Sequence, residues 1–148
     1  TVVVMSDRGL THIALPVSDL EKSLEFYSKY ADMKVVHGRA SENSGTRVAW
    51  ISDRTRPFVI VLIEREKVEY PLRAPAHLGV GCASRAEVDR LVAEAQAEGR
   101  PVRGPTDSPY PVGYWAWISD PDEHTLEVSY GPAVALTVER APQRDDPS

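Results

Sequence analysis

Three side chains in the sequence are able to bind a metal ion from within strand-like segments. His12 and His77 each stand near the start of a short apolar run that is typical of a β-strand. Glu127 lies in the middle of another such run, where a carboxylate is costly to bury unless it is paired or bound to a cation. A salt bridge from Glu127 to an arginine such as Arg47 is the alternative. Because Cys82 is the only cysteine, a metal ion would have to be held by histidine and carboxylate side chains.

An internal duplication relates the two histidines. The segments that begin at Thr11 and at Ala76 both continue with a histidine and then an apolar run. The pentapeptide Ala-Trp-Ile-Ser-Asp occurs twice, beginning at Ala49 and again at Ala116. The matched segments follow one another in the same order in both halves. This agreement predicts two copies of one structural module.

Each copy predicts the element order strand, helix, strand, strand, strand. Ser18 with Glu21, and Ser84 with Glu87, have the spacing of a capping box at the start of a helix. Apolar residues then recur at helical intervals in both segments. The predicted boundaries are residues 9–64 for the first module, 65–74 for a linker, 75–131 for the second module and 132–148 for a C-terminal extension that is disordered in part.

Alternation of side chains along a strand assigns the histidines to a face that has open space. His12 shares a face with Ala14, and His77 shares a face with Gly79 and Gly81. Such small residues leave room beside a histidine, as a pocket requires. The sequence therefore predicts a concavity rather than a packed core at these positions.

The carboxylate occurs in the second copy alone. The position that matches Glu127 in the first copy is Ile60, or Val61 after a shift of one residue. Glu64, at the end of the same strand, is expected to be solvated. The duplication therefore provides two histidines and one carboxylate.

The three tryptophans are expected to line this face. Strand alternation places Trp115 and Trp117 on one face, which is also the face of the carboxylate if the turn between the two strands keeps their register, and the repeat adds Trp50. Tyr114 and Arg47 then face away. An aromatic-lined pocket is the favoured interpretation, and a purely structural core is the alternative.

Two further histidines are expected to lie outside the site. His37 precedes a glycine and is predicted to occupy a solvated turn. His124 falls on the strand face opposite Glu127, which makes it a poor ligand. Cys82 is expected to be a small buried apolar side chain.

The chain resembles the vicinal oxygen chelate superfamily, which includes glyoxalase I, extradiol dioxygenases, fosfomycin-resistance transferases and bleomycin-resistance proteins. The resemblance covers about residues 9–131. It rests on residues 11–20 (THIALPVSDL) with the following Phe26 and Tyr27, on residues 76–78 (AHL), and on residues 120–127 (DPDEHTLE).

The resemblance implies an α+β fold in which two tandem βαβββ modules form a cupped mixed sheet with helices on its outer face. It also implies that His12, His77 and Glu127 bind one divalent metal ion per site. This donor set suits Fe(II), and Mn, Ni, Co or Zn are alternatives. A homodimer is expected as well, with each site built either within one chain or from His12 of one chain and His77 and Glu127 of the other.

Two departures from named members of the superfamily narrow the function. Glyoxalase I carries a fourth ligand, a glutamate, where this chain has Ile60 or Val61. Extradiol and fosfomycin-resistance enzymes carry a tyrosine where this chain has Trp117. The missing glutamate argues against glyoxalase I, and the missing tyrosine argues against a standard extradiol dioxygenase. The donor set of two histidines and one carboxylate still favours a dioxygenase-like enzyme that acts on a small aromatic or apolar substrate with vicinal oxygens. The alternatives are a metal-dependent lyase, isomerase or thiol transferase resembling lactoylglutathione lyase, and a metal-free protein that sequesters a drug.

Composition excludes several other classes. The 148 residues carry a formal net charge of −5 and no basic stripe, which argues against nucleic-acid binding. No apolar run approaches the roughly 20 residues that span a bilayer, and Val2 to Val4 are too few for a signal-peptide core, so a cytoplasmic location is expected. The expected partner is a small molecule. No basic residue is assigned to the ligand face, which favours an apolar substrate over a strongly anionic one.

Overall fold

A computed structural model describes residues 6–143. The elements of the first half are β1 (His12–Val17), α1 (Leu20–Ala31), β2 (Lys34–Ala40), β3 (Arg47–Ser52) and β4 (Val59–Glu64). Those of the second half are β5 (Leu78–Gly81), α2 (Arg85–Ala97), β6 (Val102–Ser108), β7 (Gly113–Ser119) and β8 (Thr125–Tyr130), followed by α3 (Val134–Arg140). The order strand, helix, strand, strand, strand therefore occurs twice, as the sequence predicts.

Each half forms a mixed four-stranded sheet with the same topology. The strand order is β1-β4-β3-β2 in one sheet and β5-β8-β7-β6 in the other. The first strand pairs parallel with the last in both, while β2 with β3, β3 with β4, and β6 with β7 pair antiparallel. The α+β class predicted from the sequence is confirmed.

The chain divides into two compact units. The first unit contains the chain up to Ala76 together with Ser119–His124, and the second contains His77–Ile118 and the chain from Thr125 onward. The short connection between β7 and β8 is thus part of the first unit. The module boundaries drawn from the duplication stay a prediction.

The cap of helix α1 lies one residue later in the sequence than predicted. Asp19, not Ser18, accepts the hydrogen bond from the Lys22 amide, and Ser18 instead bonds to the Asp122 carboxylate through its amide and hydroxyl. The predicted pairing of Ser18 with Glu21 in a capping box is therefore wrong, and Glu21 bonds to Arg47 instead. Asp19 satisfies the free N–H groups of the first turn equally well, because aspartate and serine are comparable caps.

The helix α2 follows its sequence signals closely. The Ser84 hydroxyl accepts from the Glu87 amide at 3.1 Å, and the Glu87 carboxylate accepts from the Ala83 amide. Its apolar stripe is buried against the sheet, and α2 ends before Gly99, whose φ of 75° favours glycine. The buried stripe consists of Val88, Leu91, Val92 and Ala95.

The buried core lies on the helix side of each sheet. In β8, Leu126 and Val128 are fully buried, as the strand alternation predicts, and Ile118 on β7 joins them. In the first unit the corresponding layer is Leu15, Val17, Ile51 and Leu62, packed with the aromatic rings of α1. The other face of each sheet, away from the helices, carries the side chains that alternate with these core residues, among them Glu127 and Trp50.

A buried polar turn precedes β8. The Asp120 carboxylate accepts from the Tyr27 hydroxyl at 2.8 Å and from the amides of Asp122 and His124, both at 2.8 Å. The His124 ring bonds to the Leu72 amide and to the Pro16 carbonyl. Burial raises the pKa of Asp120, and burial beside Asp120 raises the pKa of Tyr27. His124 is thereby a structural residue, consistent with its exclusion from the ligand set.

Some expectations are corrected or fall outside the described residues. His37 lies within β2 opposite Trp50 and not in a turn, because the strand continues through Gly38 to Ala40. The helix α3 lies in the predicted extension and was not foreseen. Val2 to Val4 and residues 144–148, part of the expected disordered tail, are outside residues 6–143. Over that described range no helix is long and apolar enough to span a membrane.

Candidate metal and substrate site

His77 and Glu127 come together on the second unit. The Nε2 atom of His77 lies 3.6 Å from Oε1 of Glu127, and the two side chains are 32% and 20% exposed. Glu127 reaches this face because alternation along β8 turns it away from the buried Leu126 and Val128. The pair is partly sheltered, yet it remains accessible to a solute.

Two indoles in contact with each other continue the face beside this pair. The Trp117 Nε1–H donates to Oε1 of Glu127 at 3.1 Å, and the ring centroids of His77 and Trp117 are 5.4 Å apart. Trp115 packs on Trp117 at a centroid distance of 4.9 Å, while its own N–H donates to Ser108. The indole of Trp117 thus has both a polar link to the carboxylate and an apolar surface beside it.

Arg103 is a member of this face that the sequence interpretation missed. It pairs with Trp117 across β6 and β7, and its guanidinium lies 5.3 Å from the Trp117 ring centroid. The expectation that no basic residue belongs here is therefore wrong. Arg103 precedes Gly104 and Pro105, which obscured the strand pattern of β6, so only the pairing with β7 reveals its position.

Gly79 keeps the space beside the carboxylate open. It pairs with Glu127 in the parallel ladder of β5 and β8. A Cβ atom added at Gly79 would lie 3.6 Å from Oε2 of Glu127, which is ordinary van der Waals contact. A longer side chain at this position would occupy the space next to the carboxylate.

The first unit carries a matching row without a carboxylate. Ala14 pairs with Val61, Val61 with Trp50, and Trp50 with His37. The His37 and Trp50 rings meet edge to face at 5.0 Å, and Trp50 is 39% exposed. The tryptophan therefore lies on the accessible face of its sheet, as the sequence predicts.

The two ladders identify the counterpart of Glu127. Gly79 pairs with Glu127 in the second unit, and Ala14, at the equivalent position of the first, pairs with Val61. Val61 rather than Ile60 is therefore the equivalent residue, and Ile60 belongs to the core.

His12 is exposed on β1 of the first unit, where its Nδ1 lies 2.8 Å from the Thr11 hydroxyl. The structure thus brings His77, Glu127, Trp115 and Trp117 together on one unit, and it places His12, Ala14 and Trp50 on the other.

Glu64 and Arg47 form a separate ion-pair cluster. The Arg47 guanidinium makes two hydrogen bonds to Glu64 and two to Glu21, and this arginine holds the pKa of Glu64 below its ordinary value and that of Glu21 at about 2. The expectation that Glu64 is merely solvated is wrong, because its carboxylate is only 25% exposed and is fully engaged. Arg47 is therefore not the partner of Glu127, whose carboxylate instead meets His77 and Trp117.

Tyr114 and Cys82 are not part of the accessible face. The Tyr114 hydroxyl donates to Asp89 on α2, so its ring faces away from the tryptophans as predicted. Burial raises the pKa of the Cys82 thiol to about 11. Cys82 is half-buried rather than buried as expected, and a thiol of that pKa is not ionised near neutral pH.

The donor chemistry of the pair fits a divalent metal ion. Two ligands that bind one ion at about 2.1 Å each are at most about twice that distance apart, and the pair satisfies this limit. Within residues 6–143, no group of three or more His, Cys, Asp or Glu side chains is arranged to hold a metal ion. His77 and Glu127 would therefore supply two of the ligands, and His12 as the third stays a prediction.

Comparison with known proteins identifies the family. A sequence model of the Glyoxalase/Bleomycin resistance protein/Dioxygenase superfamily matches residues 9–128, and the chain belongs to this superfamily. The predicted membership is confirmed. The chain is also 35% identical over 125 residues to Uncharacterized protein PA2024 of Pseudomonas aeruginosa, covering 82% of this chain and 88% of that protein.

Solved structures share the fold. The trypanothione-dependent glyoxalase I of Leishmania major matches with a TM-score of 0.70 and 21% identity, covering 90% of this chain and 94% of that one. The fosfomycin resistance protein FosX of Listeria monocytogenes, complexed with Mn(II) and sulfate, matches with a TM-score of 0.66 and 20% identity. The match covers 85% of this chain and 94% of that one. TnmS3, an antibiotic binding protein from Streptomyces sp. CB03234, matches with a TM-score of 0.61 and 24% identity. The match covers 86% of this chain and 99% of that one. At these identities the matches establish the fold alone.

Proposed function

We propose that the protein is a divalent-metal-dependent enzyme that acts on a small molecule with two adjacent oxygen atoms. The observation that carries the proposal is the 3.6 Å approach of His77 to Glu127, with Trp117 bonded to the same carboxylate oxygen. A glutamate on an accessible strand face, next to a histidine and away from any arginine partner in residues 6–143, is the donor arrangement that a metal ion uses.

The ligands are proposed to be His77, Glu127 and His12. The first two share the second unit, and His12 is assigned by its equivalent position at the start of β1 in the duplicated module. The third ligand, His12, is supplied either by the same chain or by a second copy of it. A bound divalent ion would supply Lewis acidity toward the adjacent oxygens and, as Fe(II), oxygen chemistry. Mn, Ni, Co and Zn fit the same donors.

The residues around the ligands favour an aromatic or apolar substrate. The indole of Trp117 lies directly beside Glu127, and that of Trp115, inclined to it by 42°, extends the aromatic surface. A ring stacked there would present its oxygens toward the carboxylate and the histidine. On the first unit, Trp50 and Ala14 are proposed to line the substrate pocket, because they occupy the corresponding positions of the duplicated sheet.

A dioxygenase-like reaction is favoured over isomerisation. Val61 stands where a second carboxylate would have to be, so that position has no group able to exchange a proton with substrate. Isomerisation of an adjacent carbonyl and hydroxyl needs such a base, whereas addition of oxygen to a chelated diol depends less on one. A lyase, isomerase or thiol-transfer reaction is the alternative within the same metal-dependent class.

The test is oxygen consumption by protein loaded anaerobically with Fe(II). Catechol should cause oxygen uptake that disappears when the iron is removed or when His77 is replaced by Ala. Turnover of an adjacent hydroxyl and carbonyl without oxygen uptake would favour the isomerase alternative. Absence of any metal-dependent reaction or binding would contradict the proposal.

A metal-free drug-binding protein is the second candidate. The observation that favours it is the exposed Trp50 in edge-to-face contact with His37, a surface that needs no metal to hold an aromatic ligand. Binding of an aromatic compound with equal affinity before and after chelation of metal would support this candidate. Loss of binding on chelation would support the enzyme.

We also propose that the protein acts as a homodimer. Each four-stranded sheet has two edge strands, β1 and β2 in one and β5 and β6 in the other, and such edges are commonly covered by pairing or association. Light scattering should report twice the mass of the 148-residue chain at micromolar concentration. A monomer would contradict this part of the proposal.

A further inference from the structure

The guanidinium of Arg103 lies on the substrate face of the second unit without an acidic partner among residues 6–143. It stacks on Trp117 at 5.3 Å, and Trp117 is itself hydrogen-bonded to Glu127. A cation–π contact of this kind attracts the guanidinium to the indole and leaves its N–H donors able to bind another group. The positive charge of Arg103 is therefore available to a ligand that binds beside Trp117.

A second stacked arginine in the same unit shows the contrast. Arg85 lies over the Tyr114 ring at 4.1 Å, and its guanidinium also donates to Asp107 at 2.9 Å. Its charge is neutralised within the protein on the helix side of the sheet. Arg103 has the same kind of aromatic support but no such carboxylate in the described part of the chain.

The duplication gives an independent reason to regard Arg103 as functional. The equivalent residue of the first unit is His37, which pairs with Trp50 as Arg103 pairs with Trp117. The arginine thus occurs in the copy that carries Glu127, and the copy with Val61 lacks it. The arginine and the proposed carboxylate ligand therefore occur together, in the second unit.

We infer that Arg103 recognises a carboxylate on the substrate, so that the substrate is an aromatic acid with two adjacent ring oxygens. This inference rests on the proposed function. A guanidinium binds a carboxylate through two parallel hydrogen bonds, which fixes the plane of an attached ring. Arg103 lies two strands from Glu127, about 10 Å at the usual strand spacing. One aromatic ring with a carboxylate opposite its oxygens is of the size to bridge that separation.

The test compares protocatechuate, a catechol with a carboxylate, with its methyl ester, which keeps the ring and the diol but has no charge. Binding is followed by quenching of tryptophan fluorescence in metal-loaded and metal-free protein. The wild-type protein should prefer the acid to the ester. Arg103→Met should weaken binding of the acid about 10- to 100-fold, the range for hydrogen bonds to a charged group, and leave the ester almost unchanged.

Arg90→Met is the matched control. Arg90 lies exposed on α2 and pairs with Glu94, so its loss changes the net charge equally without touching the tryptophan face. It should leave the preference for the acid intact. Equal loss in both variants, or equal affinity of wild type for acid and ester, would overturn the inference. The proposed function would fail separately, through absence of bound metal in the wild-type protein.

Discussion

The indole N–H of Trp117 donates to the same Glu127 oxygen that lies 3.6 Å from Nε2 of His77. This contact helps to fix the direction of the carboxylate. Hydrogen bonds of this kind orient a metal ligand and commonly change metal affinity by about 10- to 100-fold when removed. The tryptophan is therefore a positioning residue as well as a surface for substrate.

Trp117→Phe should weaken metal binding and leave the fold intact. Phenylalanine keeps an aromatic ring but cannot donate to Glu127, so the carboxylate loses its fixed direction. Calorimetric titration with Mn(II) should show an affinity about 10- to 100-fold lower than that of the wild type. Trp115→Phe is the control, because its N–H donates to Ser108 and not to the ligand. Equal effects of the two substitutions would contradict the assigned role.

Substitutions at Gly79 test whether the space beside the Glu127 carboxylate is used for binding. A small side chain should leave both the fold and binding intact, whereas a large one should block access to the carboxylate. Gly79→Ala should be tolerated, since the added Cβ is at ordinary contact distance from Glu127. Gly79→Leu should lower metal or substrate affinity because its side chain extends over the face. Gly81→Leu, on the same face but with no atom within 4 Å of an added Cβ, should lower affinity less than Gly79→Leu does. Full metal and substrate binding by Gly79→Leu would show that the space is not used.

Much of this arrangement follows from sequence, and the missing part has a physical cause. The duplicated pentapeptide and the alternation of apolar residues are sufficient to predict both βαβββ units and to turn Glu127 away from the core. The position of Arg103 on this face could not be predicted, because a glycine and a proline interrupt the strand pattern of β6 and because its neighbour Trp117 belongs to another strand. The Arg47 cluster also depends on strand pairing, which joins residues distant in sequence and leaves no periodic signal.

Glu64→Gln should reduce the dependence of stability on acid pH. Arg47 lowers the pKa of Glu64 in the folded protein below the ordinary 4.5, so the folded state binds this proton less readily than the unfolded chain. The resulting stabilisation is present above pH 4.5 and is lost as the pH falls through the lowered value. The variant should be less stable near neutral pH and should lose less on acidification.

Urea unfolding at neutral and acid pH measures this effect. Glu66→Gln, which removes an exposed carboxylate two residues away, is the control and should resemble the wild type. If Glu64→Gln unfolds with the same pH dependence as the wild type, the Arg47 pair makes no net contribution to stability.

Tyr27→Phe should destabilise the first unit. The substitution removes the hydroxyl that donates to the buried Asp120 carboxylate but keeps the ring in the core. Loss of one hydrogen bond to a buried charged group costs about 1–3 kcal/mol. Chemical denaturation measures the change, and Tyr114→Phe, whose hydroxyl bonds to an exposed carboxylate, should have a smaller effect. A smaller loss for Tyr27→Phe than for Tyr114→Phe would contradict the importance assigned to the buried turn.

The measurement that tests the central claim most directly is the metal content of purified protein with and without His77. Elemental analysis after anaerobic loading should find about one divalent ion per completed site in the wild type, and His77→Ala should lose it because a direct ligand is removed. His37→Ala is the control, since His37 contacts Trp50 in the unit without the carboxylate. Loss in His77→Ala with retention in His37→Ala is the predicted result. Full metal content in His77→Ala would contradict the account.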